Sequence, residues 1–213
     1  DWDSFGYRRG KNMYAYKPQN GKWNLMHWDV AFAFGLGDGT TADLFDTVHF
    51  DGSVDTITKR MMETAPFRRA YFRALYNIVN GPFIASRVGP IIDAKYNALI
   101  SNGVPASSPQ SVKDWIENRR QAILAQLASV SAGFTITSNS GNNYSTNRNT
   151  VVLSGTAPVN VKSIRINGVE YPLTWTSVNT WQATVALHPQ QNLLSIQGYD
   201  LSGKLIADAS DSI

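Results

Sequence analysis

Residues 13–28 read MYAYKPQNGKWNLMHW, and this stretch decides the architecture of the N-terminal part of the chain. Two aromatic-rich runs flank a short segment that contains Pro18, Asn20 and Gly21. Proline fixes φ, an Asn-Gly pair accepts the positive φ of a tight reversal, and Tyr and Trp favour strands. The stretch therefore predicts a β-hairpin. Glycines are dense in residues 35–39, which predicts a loop there.

Four stretches between the glycine-rich loop and residue 130 show the three- and four-residue apolar spacing of amphipathic helices. Ser53 or Asp55 is predicted to cap the first of them, and the third is predicted to begin near Pro90. Ser111 is predicted to cap the fourth helix. This part of the chain, residues 1–130, is therefore predicted to be mostly helical after its hairpin.

Composition changes sharply at Ser131, where helix-forming residues give way to Ser, Thr, Asn and Gly. Short β-rich runs follow, separated by Asn-Gly, His-Pro and Ser-Gly turn signals. Residues 131–149 are predicted to be a linker or a first strand region. Residues 150–213, or 133–213 if that region joins them, are predicted to form an all-β immunoglobulin-like sandwich of five to seven strands. The predicted fold class is thus α+β and multidomain.

Composition excludes several chemistries. The 213 residues contain no cysteine, so disulfide frameworks, iron–sulfur clusters and thiol nucleophiles are ruled out. The three histidines lack metal-ligand spacing, and no G-x-S-x-G sequence supports a serine nucleophile. The net charge is only +3, and basic residues such as Arg119 and Arg120, expected on the solvent side of the fourth helix, are scattered among acids. We therefore expect no nucleic-acid partner. No apolar run approaches the roughly 18–20 residues that span a bilayer, so we expect no membrane span either.

Carboxylate chemistry remains. Acidic and amide side chains are frequent in the first 46 residues, at Asp1, Asp3, Asn12, Asp29, Asp38, Asp43 and Asp46. Such oxygen ligands suit a hard cation, Mg²⁺ or Ca²⁺. Asp3 and Asn12 can equally be ordinary loop residues whose side chains cap turns. Asp29 follows an apolar strand, where a buried carboxylate needs a metal or a basic partner.

Four segments carry a resemblance to a known family: DWDS at 1–4, KNMYAY at 11–16, GKW at 21–23 and WDVAFAFG at 28–35. Together they resemble the C-terminal half of the CotH (spore coat protein H) kinase family. The helical phrase FRRAYF and the start of the last helix fit the same family. The resemblance covers roughly residues 1–130, and the β-rich remainder lies outside it.

The resemblance implies an atypical kinase-like fold that transfers a phosphoryl group from ATP, with Mg²⁺, to a Ser or Thr hydroxyl. It places Asp3 as the catalytic carboxylate near the acceptor hydroxyl. It makes Asn12 and Asp29 the metal ligands, and thereby the cofactor-binding residues. A loose phosphoryl-transfer transition state requires such a set, with metal on the phosphate oxygens and a carboxylate near the nucleophile.

Two departures from the family pattern leave an alternative open. The family motif reads Trp-Asp-x-Asp, whereas this chain has Ala31 at the position of the second carboxylate. The nucleotide-clamping strands and lysine of a kinase are expected upstream of Asp1, so this chain alone is predicted to be inactive, and its missing N-terminal segment is a predicted partner. The alternative is a non-catalytic binding or structural module with a degenerate kinase scaffold. Either version is expected to be extracellular or on the cell surface, with a protein substrate or a surface partner.

Overall fold

The computed structural model describes residues 12–29, 33–36, 39–45 and 52–213. Within these ranges the chain is an α+β protein with four α-helices and three antiparallel sheets. The chain forms two compact units. The first unit comprises residues 1–63 and 78–124, and the second comprises residues 64–77 and 125–213. The domain boundary near residue 131 stays a prediction.

The predicted hairpin is present in the first unit. Strand β1 (Met13–Tyr16) pairs antiparallel with β2 (Asn24–His27), and Gly21 N donates to Pro18 O at 3.1 Å to close the turn. Tyr14 and Trp28 form an edge-on pair with ring centroids 6.4 Å apart. Diagonal aromatic contacts of this kind help to set the register of an antiparallel pair.

Four helices follow the hairpin: α1 (Thr56–Glu63), α2 (Ala65–Val79), α3 (Ala85–Ser101) and α4 (Gln110–Ser129). Asp55 caps α1, because its Oδ1 accepts from the backbone N–H of Ile57 at 3.1 Å and of Thr58 at 3.3 Å. Of the two predicted caps, Asp55 is therefore the residue with this role, since its carboxylate satisfies donors that the first turn leaves unpaired.

Two predicted helix starts were wrong. Helix α3 begins five residues before Pro90, which lies inside it. Pro90 has no N–H for an i→i−4 bond, but the first turn forms ahead of it, where Val88 N donates to Ile84 O at 3.0 Å. Ser111 is a helical residue and not a cap, because α4 already begins at Gln110.

The second unit contains eight strands: β3 (Thr135–Ile136), β4 (Thr150–Thr156), β5 (Ser163–Ile166), β6 (Val169–Glu170), β7 (Thr174–Trp175), β8 (Thr180–Ala186), β9 (Ser195–Tyr199) and β10 (Leu205–Ser212). They form two four-stranded antiparallel sheets, ordered β10-β9-β5-β6 and β3-β4-β8-β7. The count exceeds the predicted five to seven, because three of the strands have only two residues. The immunoglobulin-like identity of this arrangement stays a prediction.

Both sheets contribute to one buried core. Trp181, Ala183 and Val185 alternate inward along β8, while Ile164 and Ile196 enter the same cluster from the other sheet. Alternation of buried and exposed side chains is what a strand with one buried face requires. The two sheets are therefore held together by a continuous apolar interior.

Helix α2 contributes a buried arginine to the second unit. Arg69 is only 1 % exposed, and its guanidinium donates to four backbone carbonyl oxygens, those of Ala157, Pro158, Val161 and Val178. The guanidinium carbon also lies 3.5 Å from the centroid of the Trp175 ring. Burial, followed by the nearby charge of Arg73, lowers the pKa of Arg69 to about 9, so the side chain is still charged at neutral pH. These are charge-assisted hydrogen bonds in a water-poor setting.

Candidate functional site

Asn12 and Asp29 lie at the open end of the β1–β2 hairpin, opposite its turn. Met13 pairs with His27, and the next residue, Trp28, donates its N–H to Asn12 O at 3.0 Å. Asp29 follows directly. The hairpin therefore brings together two predicted site residues that are 17 positions apart in the sequence.

The backbone turns sharply at both positions. Asn12 has φ 61° and Asp29 has φ 50°, both in the left-handed region that non-glycine residues seldom occupy. Asn and Asp are the residues that tolerate this conformation best, because their short polar side chains can hydrogen-bond locally. Sparsely populated backbone conformations concentrate at active sites and ligand clamps. The sequence therefore places two oxygen-bearing side chains where the chain enters and leaves the hairpin.

Asp29 is exposed, and Asn12 is partly buried. The expectation that a buried Asp29 needs a compensating partner therefore does not apply, because solvent can hydrate its carboxylate. An exposed carboxylate is instead accessible to a ligand. One side chain offers an amide oxygen and the other a carboxylate, which are the donor types that Mg²⁺ accepts.

Phe34 and Gly35 contact helix α4 at Trp115. The Phe34 ring meets the Trp115 ring edge-on at a centroid distance of 5.8 Å. Gly35 has φ 101°, and a Cβ at that position would lie 2.9 Å from Trp115 Cδ1. Glycine is therefore required at position 35 both for its backbone conformation and for the close approach of the indole ring.

Arg119, one helical turn beyond Trp115, binds backbone carbonyls in the described residues 39–45. Its guanidinium donates to Thr40 O at 2.9 Å and to Ala42 O at 2.6 Å. The prediction that Arg119 lies on the solvent side was wrong, because the side chain is partly buried against these carbonyls. The i, i+4 spacing of an indole and a guanidinium on one helix face is a sequence signal that could have indicated this anchoring role.

Arg120 was also predicted to face solvent and is partly buried instead. Its Nε donates to Val79 O at 2.8 Å, at the last residue of α2, and its Nη1 lies 3.3 Å from Glu117 Oε1. A basic side chain that binds a free carbonyl at a helix C-terminus satisfies an acceptor that the helix itself cannot pair. Both arginines thus position backbone in the first unit.

The other predicted oxygen ligands are placed as follows. Asp3, the predicted catalytic residue, lies outside the described residues, as do Asp1, Asp38 and Asp46. Asp43 is described, and its Oδ1 accepts from Phe45 N at 2.9 Å, which is an ordinary turn role. Within the described ranges no group of three or more His, Asp or Glu side chains could hold a metal ion. Asn12 and Asp29 are thus the predicted ligands that the structure brings together.

Comparison with protein families identifies the class to which this arrangement belongs. Residues 1–123, more than half of the chain, match the family of CotH kinase proteins. The chain belongs to the CotH kinase family. No curated protein and no solved structure was found to match it. None of the helices in the described ranges combines the length and apolarity that a membrane crossing requires.

Proposed function

We propose that this chain carries the metal-binding part of an ATP-dependent protein kinase of the CotH type, with Asn12 and Asp29 as ligands of Mg²⁺. The observation that carries the proposal is the juxtaposition of these two residues at the open end of the hairpin. Membership of the CotH kinase family supports the same reaction class. The activity we assign to the kinase that contains this chain is phosphoryl transfer to a Ser or Thr hydroxyl of a protein.

Each residue has a separate role in this proposal. The Asn12 amide oxygen and the Asp29 carboxylate bind the cation, and their left-handed backbone fixes the two side chains at the mouth of the hairpin. Asp3 accepts the proton of the acceptor hydroxyl. Mg²⁺ held by Asn12 and Asp29 would provide the positive charge that the phosphate oxygens of ATP require in phosphoryl transfer. Trp115, in contact with Phe34, and Arg119, in contact with the Thr40 and Ala42 carbonyls, have positioning roles only.

The first experiment separates binding from transfer. Calorimetric titration with ATP and Mg²⁺ is made on the full-length protein that contains this chain, as wild type and as Asp29→Asn. Loss of one metal-binding carboxylate is expected to weaken Mg²⁺-dependent ATP binding by about tenfold or more, equivalent to at least about 1.4 kcal/mol. Asp43→Asn is the matched control, because its carboxylate lies in the same part of the chain but caps a turn. Unchanged affinity in Asp29→Asn would exclude the assigned role.

Asp3→Asn gives the complementary test. It is expected to retain Mg²⁺-dependent ATP binding and to lose transfer of labelled phosphate to protein, since a proton acceptor acts on the hydroxyl and not on the nucleotide. If Asp3→Asn transfers phosphate at the wild-type rate, Asp3 is not the catalytic carboxylate.

A second candidate function is a non-catalytic surface or secreted module. The observation that favours it is Ala31, which stands where the family motif has a second carboxylate. If this candidate is correct, Ala31→Asp restores metal-dependent ATP binding that the wild-type protein lacks. Binding by the wild type without this substitution would reject the second candidate. For both candidates we propose an extracellular or cell-surface location, in keeping with the spore-coat resemblance.

A further inference from the structure

We propose that a cavity in the second unit binds a neutral carbohydrate. The cavity has a volume of about 670 Å³, and its walls come mainly from residues 143–149 and 187–194. Small-molecule sites typically have volumes of about 300–1,000 Å³. This site is independent of the phosphoryl-transfer function, because all of its lining residues belong to the second unit.

The walls are rich in uncharged polar groups. Six of the lining residues carry a side-chain amide: Asn143, Asn147, Asn149, Gln190, Gln191 and Asn192. Ser145, Thr146 and Tyr144 add hydroxyl groups. An amide offers both donors and an acceptor, and a hydroxyl offers both on one atom. A ligand covered with hydroxyl groups, each able to donate and accept, is the chemical match for such a wall.

Five of these amides have unused hydrogen-bonding capacity. Every residue of the second unit is described. No side-chain hydrogen bond is found there for five amides, those of Asn143, Asn147, Asn149, Gln190 and Gln191. Surface amides elsewhere in the unit are often used internally, as when Asn167 Nδ2 donates to Leu193 O at 3.0 Å. Open amides gathered around one cavity can exchange water for ligand hydroxyls at little structural cost.

The sixth amide builds the wall. Asn192 Oδ1 accepts from His188 N at 2.9 Å, and its Nδ2 donates to His188 O at 2.9 Å and to Gln190 O at 3.3 Å. Gln190 has φ 78°, an unfavourable conformation for a residue with a long side chain. Strained backbone held by side-chain hydrogen bonds is typical of ligand clamps. The loop is therefore fixed before any ligand arrives.

An apolar floor completes the cavity. Leu153 and Leu194, both buried, line it together with Val151, Leu187 and Ile213. Tyr144 lines the wall and is 42 % exposed, so its ring is accessible. Sugars present C–H faces as well as hydroxyl edges, and an exposed aromatic ring with an aliphatic floor can pack against such faces. Amides and apolar surface thus occur in the combination that a sugar ring needs.

The charge of the lining distinguishes a carbohydrate from other ligands. Arg148 is the one Lys, Arg, Asp or Glu side chain among the lining residues, all of which are described. The strong hydrogen bonds to a phosphate or carboxylate are charge-assisted, and Arg148 is the one Arg or Lys in this lining that could donate them. An uncharged ligand is therefore favoured, and its binding is expected to be insensitive to salt.

The test uses the 213-residue chain and fluorescently labelled neutral oligosaccharides of glucose, xylose, mannose and N-acetylglucosamine, each two to four units long. At least one series is expected to bind. In the double variant Asn147→Ala/Gln191→Ala the dissociation constant for that probe is expected to rise about tenfold or more, because two ligand-facing amides are lost. Tyr144→Ala is expected to weaken binding similarly, whereas Tyr144→Phe keeps the ring and most of the affinity.

Gln182→Ala is the matched control, since Gln182 is an exposed amide of β8 that does not line the cavity. Thermal unfolding of each variant shows whether the unit is still folded. Three results would overturn the proposal: none of the oligosaccharides binds, binding is equal in the double variant and the control, or affinity falls strongly with added salt. Preferential binding of uncharged peptides over every sugar would overturn it as well.

Discussion

Replacement of Arg69 by methionine is expected to destabilise the second unit severely. The guanidinium serves four carbonyl oxygens, at distances of 3.3 Å to Ala157 O, 2.6 Å to Pro158 O and 2.7 Å to Val161 O, with a further bond to Val178 O. A hydrogen bond to a charged group is worth about 1.5–3 kcal/mol, and a buried acceptor left unpaired costs about 1–3 kcal/mol.

The sum of these terms overstates the effect. Burying the charge itself is unfavourable, Arg69 Nε has no hydrogen-bond partner within the described structure, and some carbonyls can rehydrate once the guanidinium is gone. Each of the four carbonyl oxygens that stays buried without a donor costs about 1–3 kcal/mol, so two to three that fail to rehydrate account for most of the loss. We therefore expect a loss of about 3–5 kcal/mol, and a fall in melting temperature of about 12 °C or more for a unit of this size.

The assay is urea unfolding followed by circular dichroism, with amide hydrogen exchange of β4 and β8 as the local readout for the second unit. Arg69→Lys is expected to be intermediate, since it keeps a charge but loses the planar fork of donors. Arg148→Met is the matched control in the same unit, because its guanidinium makes no hydrogen bond within the described residues, and a change within about 0.5 kcal/mol is expected. A loss below about 1 kcal/mol in Arg69→Met would refute the reasoning.

Three further predictions concern other parts of the fold. Gly155→Ala is expected to destabilise the second unit by about 1–3 kcal/mol, because the new Cβ would lie 2.5 Å from the Trp181 ring; an unchanged urea midpoint would contradict this. The Ser202 hydroxyl, with backbone amides of the same turn, lowers the pKa of Asp200, so this stabilisation is present at neutral pH and is lost as pH falls through the lowered pKa. Asp200→Asn should therefore lose less stability than wild type between neutral and strongly acidic pH, and equal losses would argue against it. Arg119→Met is expected to accelerate amide exchange in the loop whose carbonyls it binds, which exchange with mass spectrometry measures directly; wild-type protection there would show that the loop is held otherwise.

Local signals in the sequence predicted the local structure well. The turn residues of the hairpin fix its reversal, and Asp55 caps the first helix, because both effects act within a few residues. The resemblance that led to Asn12 and Asp29 is also local, and the hairpin register then explains why the two lie together. The start of α3 was missed because proline favours the first turn of a helix, whereas Pro90 is the sixth residue of α3.

Long-range partners could not be predicted in this way. Arg69 precedes the buried Phe72 by three residues, so helical periodicity places it on the buried stripe, but its partners are carbonyls about 90 positions away. The amide-rich stretch at 143–149 reads as a loop from composition alone. Only the structure shows that it faces the 187–194 segment across a cavity.

The position of Arg69 has a consequence for how the β-rich part of this protein can be transferred to another protein. The family match ends at residue 123, yet residues 64–77, inside that match, belong to the compact unit that contains both four-stranded sheets. The residues that match the family and the residues that form the compact unit therefore do not share a boundary. Transplanting residues 131–213 alone onto another protein would leave four strand-end and loop carbonyls without their donor. A functional exchange of this appendage must carry an arginine-bearing helix with it, or the host must already supply one.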